Sequence, residues 1–126
     1  MAERFDLSDE SVVTRVCFDA AVRILIGSPD GEYAELVVNT TFALTVDETS
    51  TTASPSNLSA GDVALVSSLR WRRVYGLDLG RGELLTHGDR FSLSIPADPD
   101  YESWELIRSG GAITIGLPGG EISRNY

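Results

Sequence analysis

Asp98, Asp100 and Glu102 occupy alternate positions in the segment Asp98-Pro99-Asp100-Tyr101-Glu102-Ser103-Trp104-Glu105-Leu106, so an extended chain would carry three carboxylates along one side. Carboxylates so placed could hold a hard cation. Alternatively, the acids between Asp98 and Glu105 could share acid–base work in a small hydrolase. The segment lacks the loop glycine and the distal glutamate of a calcium-binding hand, and no partner residue has a clear role beside the acids. Pro99 favours a turn. The reading is therefore a solvated acidic turn, with Asp98, Asp100, Tyr101 and Glu102 as binding residues and with no catalytic residue, metal or cofactor assigned.

A second cluster interleaves bases with aromatics: Arg70, Trp71, Arg72, Arg73 and Tyr75. That alternation suits a nucleic-acid surface. It also suits an edge strand whose arginines block pairing with other chains. Arg72 and Arg73 join the candidate binding residues, with an acidic surface or a second copy of the chain as the expected contact. Cys17 and His87 are the one cysteine and the one histidine, and nothing in the sequence brings them together as a thiol–imidazole pair. A Walker loop needs a lysine, which the chain does not have, and a zinc site of the usual spacing needs more Cys and His than it has. Trp104 alternates with Leu106 and is expected in the core rather than on a binding surface.

Charge sets the partners. Nineteen acids oppose ten bases, all of them arginine, for a formal net charge of −9. Such a surface repels phosphate backbones and anionic membranes and attracts a basic protein. A single cysteine allows no internal disulfide, which suits a reducing compartment. The first ten residues carry Glu3, Asp6, Asp9 and Glu10 and no apolar run, so a secretion signal is not expected. Cytoplasmic placement follows. Asn39-Thr40-Thr41 and Asn57-Leu58-Ser59 then match the glycosylation pattern by chance.

The elements that must position these residues are mostly strands. A chain of 126 residues fits a single domain spanning 1–126, and one this long buries roughly two-thirds of its unfolded surface. Residues 12–19 alternate, as do Val22, Ile24 and Ile26. Ser28-Pro29-Asp30-Gly31 supplies a turn, and Ala34, Leu36 and Val38 share a face before Phe42 and Leu44. A second β run covers Trp71–Leu79, Glu83–Thr86, Arg90–Ile95, Glu102–Arg108, Ala112–Gly116 and Glu121–Arg124, with Gly-rich turns between. Ser59 followed by Asp62, with apolar residues at helical spacing, predicts one short helix near 60–69. Residues 1–10 are expected to form a flexible N-terminus, and 45–58 a mobile polar loop. The fold class is mainly β (α+β): two antiparallel meanders forming a sandwich or open barrel.

The two β runs also resemble each other. Val16-x-Phe18-Asp19 leads to Gly31 and Leu36-x-Val38, while Tyr75-x-Leu77-Asp78 leads to Gly88 and Leu93-x-Ile95, with identical glycine-to-strand offsets. Any antiparallel meander produces part of this, so duplication stays open.

The segment from Asp98 to Leu106, followed by Leu117-Pro118-Gly119-Gly120-Glu121, resembles the ending of a family of small uncharacterised actinobacterial proteins with a PDPDYExWEL…LPGG signature. The first half resembles the same family through V-x-x-V-x-F-D-x-x-V-x-I-x-I, the Asp30-Gly31 turn and Phe42-Ala43-Leu44-Thr45. The YExWEL ending is also similar, more loosely, to segments of small bacterial immunity proteins that neutralise competitors' toxins. These likenesses imply a small bacterial domain and leave activity open. The expected function is non-catalytic protein binding of an immunity-like or regulatory kind, through an acidic surface and toward a basic partner. Alternatives are the hydrolase above and a structural homo-oligomer, and a homodimer is compatible with each.

Overall fold

The computed structural model describes residues 4–86 and 90–125. Twelve strands and one helix follow in order: β1 (Arg4–Asp6), β2 (Val12–Phe18), β3 (Val22–Gly27), β4 (Tyr33–Val38), β5 (Phe42–Val46), β6 (Thr49–Ala53), α1 (Ala60–Ser67), β7 (Gly76–Asp78), β8 (Glu83–Leu85), β9 (Phe91–Ser94), β10 (Trp104–Arg108), β11 (Ile113–Gly116) and β12 (Ile122–Asn125). They build two six-stranded antiparallel sheets, ordered β1-β7-β8-β9-β5-β6 and β12-β11-β10-β4-β3-β2, and neither closes into a barrel. Among the described residues no helix is long and apolar enough to cross a membrane.

Alternation decides which residues go inside. On β3, Val22, Ile24 and Ile26 are buried while their neighbours are half-covered, and β4 adds Ala34, Leu36 and Val38 to the same face. From the opposite sheet come Phe42, Leu44, Leu77, Leu93 and Ile95, and the two sets form one buried cluster. Trp104 is 3% exposed within it, as its alternation with Leu106 predicts. A register shift between Val13 and Arg15 lets both Val13 and Val16 face inward from β2.

The two meanders exchange their ends. β2-β3-β4 lie in one sheet and β7-β8-β9 in the other. The β5–β6 hairpin then leaves the first meander to pair with β9, and β10–β11 leave the second to pair with β4. Corresponding leucines meet in each exchange, Leu36 opposite Leu106 and Leu44 opposite Leu93. The sequence likeness between residues 16–38 and 75–95 thus coincides with a topological likeness, although Gly88 lies outside the described residues.

α1 forms where the capping pattern places it. The Ser59 hydroxyl accepts from the Asp62 amide at 3.0 Å, and Asp62 Oδ2 accepts from the Ser59 amide at 3.0 Å. Asp62 Oδ1 also accepts from Thr51 Oγ1 at 2.7 Å, tying the helix to β6.

Three expectations are corrected. Residues 4–6 are not a flexible tail: Arg4, Phe5 and Asp6 pair with Asp78, Leu77 and Gly76 as an edge strand. Residues 45–58 are not one loop, since Thr45 and Val46 end β5 and Thr49–Ala53 form β6, leaving 54–58 as the connection to α1. The run beginning at Trp71 is not a strand from its start. Residues 71–74 lie beside β2 through a single Val12–Arg73 bridge, and β7 begins only at Gly76.

Candidate functional site

A cleft of about 770 Å³ opens at one end of the sandwich, between the two chain crossings that exchange the hairpins. The β4–β5 crossing supplies Asn39, Thr40 and Thr41, and the β9–β10 crossing supplies Asp98, Asp100, Tyr101 and Glu102. Ser54 and Ser56, just after β6, and Pro118, just after β11, complete the wall. The crossings are tied together, because the Asn39 amide donates to the Ser103 carbonyl at 3.0 Å.

Asp98 shapes the acidic side. Its Oδ1 accepts from the amides of Asp100 at 2.8 Å and Tyr101 at 3.0 Å, folding the segment into an Asx turn rather than an extended run. Its carbonyl accepts from the Gly119 amide at 2.9 Å, so the segment from Asp98 touches the turn at Leu117–Gly120. Gly119 has φ 80°, a conformation in which glycine carries no side-chain penalty. The turn leaves Asp100 and Glu102 exposed and Tyr101 68% exposed, while the next two residues, Ser103 and Trp104, are buried.

The cleft mixes polar side chains with the apolar surfaces of Tyr101 and Pro118. No large aliphatic side chain and no arginine lines it, and Asp98, Asp100 and Glu102 form no ion pair among the described residues. Small-molecule sites are usually lined by apolar and aromatic side chains, and among the described residues the aromatic here is Tyr101. Thr40 Oγ1, on the opposite wall, is covered by protein and has no hydrogen-bond partner among the described residues. The acids do not converge as metal ligands: among the described residues no three His, Cys, Asp or Glu side chains could hold an ion.

Arg72 and Arg73 lie elsewhere. Arg72 Nη2 contacts Asp47 Oδ2 at 3.3 Å, at the β5–β6 turn, and Arg73 Nη2 donates to the Asp9 carbonyl at 3.0 Å. The cleft adjoins the Phe42–Ala53 end of that hairpin and Arg72 its Asp47 end, separated by about 14 Å of strand. Acidic and basic candidates therefore belong to different surfaces. Cys17 is half-buried on β2, and His87 lies outside the described residues.

Asn39, Thr40, Thr41, Ser54 and Ser56 carry no signal in the sequence that would have placed them here. They are small polar residues some sixty and forty-five positions from Asp98, and only the topology brings them to it.

No curated protein and no solved structure matches the chain. Residues 6–124 match the model of a family of unknown function, DUF6188, and the chain belongs to that family.

Proposed function

We propose that this domain is a non-catalytic protein-binding module that presents Asp98, Asp100 and Glu102, around the exposed Tyr101, to a basic surface on its partner. The observation that carries this reading is an open cleft whose three carboxylates form no ion pair among the described residues, in a chain of net charge −9. Such a site gains by receiving cations from outside, and the surrounding negative field speeds their approach. Tyr101 adds a rigid, amphipathic contact of the kind that anchors interfaces. The role is regulatory or immunity-like, exercised in the cytoplasm without nucleic-acid or membrane partners, and a homodimer is compatible with it.

Titration of the isotope-labelled protein with a short arginine-rich peptide tests the reading. Amide shifts should concentrate at residues 39–41, 54–56 and 98–102, weaken as salt screens the field, and vanish in the Asp98→Arg/Asp100→Arg/Glu102→Arg variant. Shifts spread over the whole acidic surface, or unchanged in that variant, would overturn it.

A further inference from the structure

The basic patch poses a question that the acidic cleft does not answer. Trp71 is 63% exposed with φ 74°, at the third position of a turn closed by the Arg72 amide donating to the Leu69 carbonyl at 2.9 Å. That position normally goes to glycine or asparagine, because a bulky side chain is strained there. Burial offsets little of that strain, so the fold has small use for an indole at this place. Arg70 lies over the ring, its guanidinium carbon 4.9 Å from the centroid, while its Nε donates to the Thr14 carbonyl at 3.2 Å. The indole is thus held out from the surface as a flat, cation-backed platform.

Beside the platform runs an open strand edge. β2 ends its sheet. Its first half is covered by the 71–74 segment, through Val13 N–H to the Arg72 carbonyl at 2.9 Å and Trp71 N–H to the Val13 carbonyl at 2.6 Å. Beyond Val13 that backbone cover stops, and the Thr14 carbonyl is taken by Arg70 Nε. Among the described residues the outer edge of residues 14–18 has no backbone partner, and Phe18 is 38% exposed at its end. A groove of about 410 Å³ follows the edge, lined by Thr14, Arg15, Val16, Ser67 and Arg70. Among the described residues its charges are two arginines, in a protein that is otherwise strongly acidic.

We propose that the outer edge of β2 at residues 14–18, with the Arg70–Trp71 turn, docks an extended acidic segment of a partner protein as an added strand. An extended peptide satisfies the open main-chain groups by strand addition, and its alternate side chains reach the groove. Charge selects the occupant. A second copy pairing through the same edge would bring Arg15 toward its own counterpart, which like charge opposes. A segment carrying Asp or Glu at alternate positions instead meets Arg15 and Arg70, and an apolar or aromatic side chain can lie on Trp71. This site is independent of the acidic cleft, because its residues lie on β2, at the end of α1 and just after it, and share none with Asp98–Glu102.

Selection of a displayed library of random short peptides on the full chain tests the proposal. Recovered sequences should be acidic and rich in β-branched residues, and should protect amides of residues 15–18 from hydrogen exchange. They should bind the Arg15→Glu/Arg70→Glu variant at least about tenfold more weakly, as loss of charge-assisted contacts implies. Binding should persist when Asp98, Asp100 and Glu102 are changed to arginine, which separates this site from the proposed cleft function. Should the double variant fail to fold, Arg15→Glu alone decides, since that side chain is exposed and forms no ion pair among the described residues. Failure to recover any peptide, recovery of neutral or basic sequences, affinity indifferent to Arg15→Glu, displacement by short RNA in preference to peptide, or self-association of the free protein through this edge would each overturn it.

Discussion

Trp104 and Gly116 face each other across β10 and β11, and the glycine is what admits the indole. A Cβ at position 116 would sit 2.5 Å from Trp104 Nε1 and 2.7 Å from Cε2, inside any tolerable contact. Gly82 approaches the same indole, its hypothetical Cβ 3.3 Å from Nε1 and only 2.4 Å from the Ile95 carbonyl oxygen. Two glycines from separate turns and strands thus form a slot for one side chain. Trp104→Ala should cost about 3–5 kcal/mol by emptying the slot, and Gly116→Ala about 1–3 kcal/mol by overfilling it. The double variant should cost less than the sum, because without the indole the new methyl loses its two tightest clashes and next meets the Ser103 hydroxyl, at 2.9 Å. Urea denaturation of the four proteins measures this, and strict additivity would show that the two residues are not coupled.

The β5–β6 hairpin is structural. Thr49–Ala53 pair with Phe42–Val46 at five positions, each pair contributing about 0.2–1 kcal/mol. Ala53 belongs to the buried cluster, and Thr51 holds Asp62 at the start of α1. Deleting residues 47–53 should therefore remove more than about 3 kcal/mol or abolish cooperative unfolding. A shortened chain that melts like the parent would mean the hairpin only rests on the fold.

The hairpin also shows what the sequence could and could not say. Period-two apolar runs and Pro-Asp-Gly or Gly-Gly turns announced most strands, and the Ser59–Asp62 capping pair announced α1. Thr49–Ala53 announced nothing, because an edge strand paired on one side needs no large apolar residue, and TSTTA has none. Alternation also tells which face of a strand is buried but not which sheet the strand joins. The move of β5 to β9 and of β10 to β4 was therefore not legible. The acidic half of the cleft could be read from Asp98, Asp100 and Glu102. Its other wall could not, because Asn39–Thr41 reach it only through that crossing. The register shift at Thr14 and the left-handed Trp71 turn broke the period around them, which is why the strand appeared to start five residues early.

Acid should weaken the fold at identifiable carboxylates. The Asp62 carboxyl is held below its ordinary value of 3.8, first by the Ser59 amide and then by the Thr51 hydroxyl. Asp19 is lowered by the Ala21 amide and by Arg23, and Asp30 by Ser28 and the Glu32 amide. A carboxylate with a lowered folded-state pKa stabilises above its unfolded value, and that contribution disappears as pH falls through the lower folded value. Asp62→Asn keeps one acceptor oxygen where the protein uses two, so the variant should be less stable than the parent at neutral pH. The gap should narrow as pH drops below 3.8 and the parent's own carboxyl becomes protonated. Denaturation curves at stepped pH follow it, and a gap that stays constant would show that Asp62 acts by shape rather than charge.

Trp71→Gly should leave stability nearly unchanged while removing the platform beside β2. Relieving the left-handed backbone gains about 1 kcal/mol. The extra freedom of glycine in the unfolded chain costs about 0.5–1 kcal/mol, and losing the exposed contact with Arg70 about 0.5–1 kcal/mol more. The sum lies within about 1 kcal/mol of zero. Trp71→Ala keeps the strain but lacks the indole, so it should be the less stable of the two variants. That order is the informative result, because a side chain needed for folding would instead be better replaced by alanine than by glycine. A loss above about 3 kcal/mol in both variants would place the indole in the core's service and leave the β2 edge without its platform.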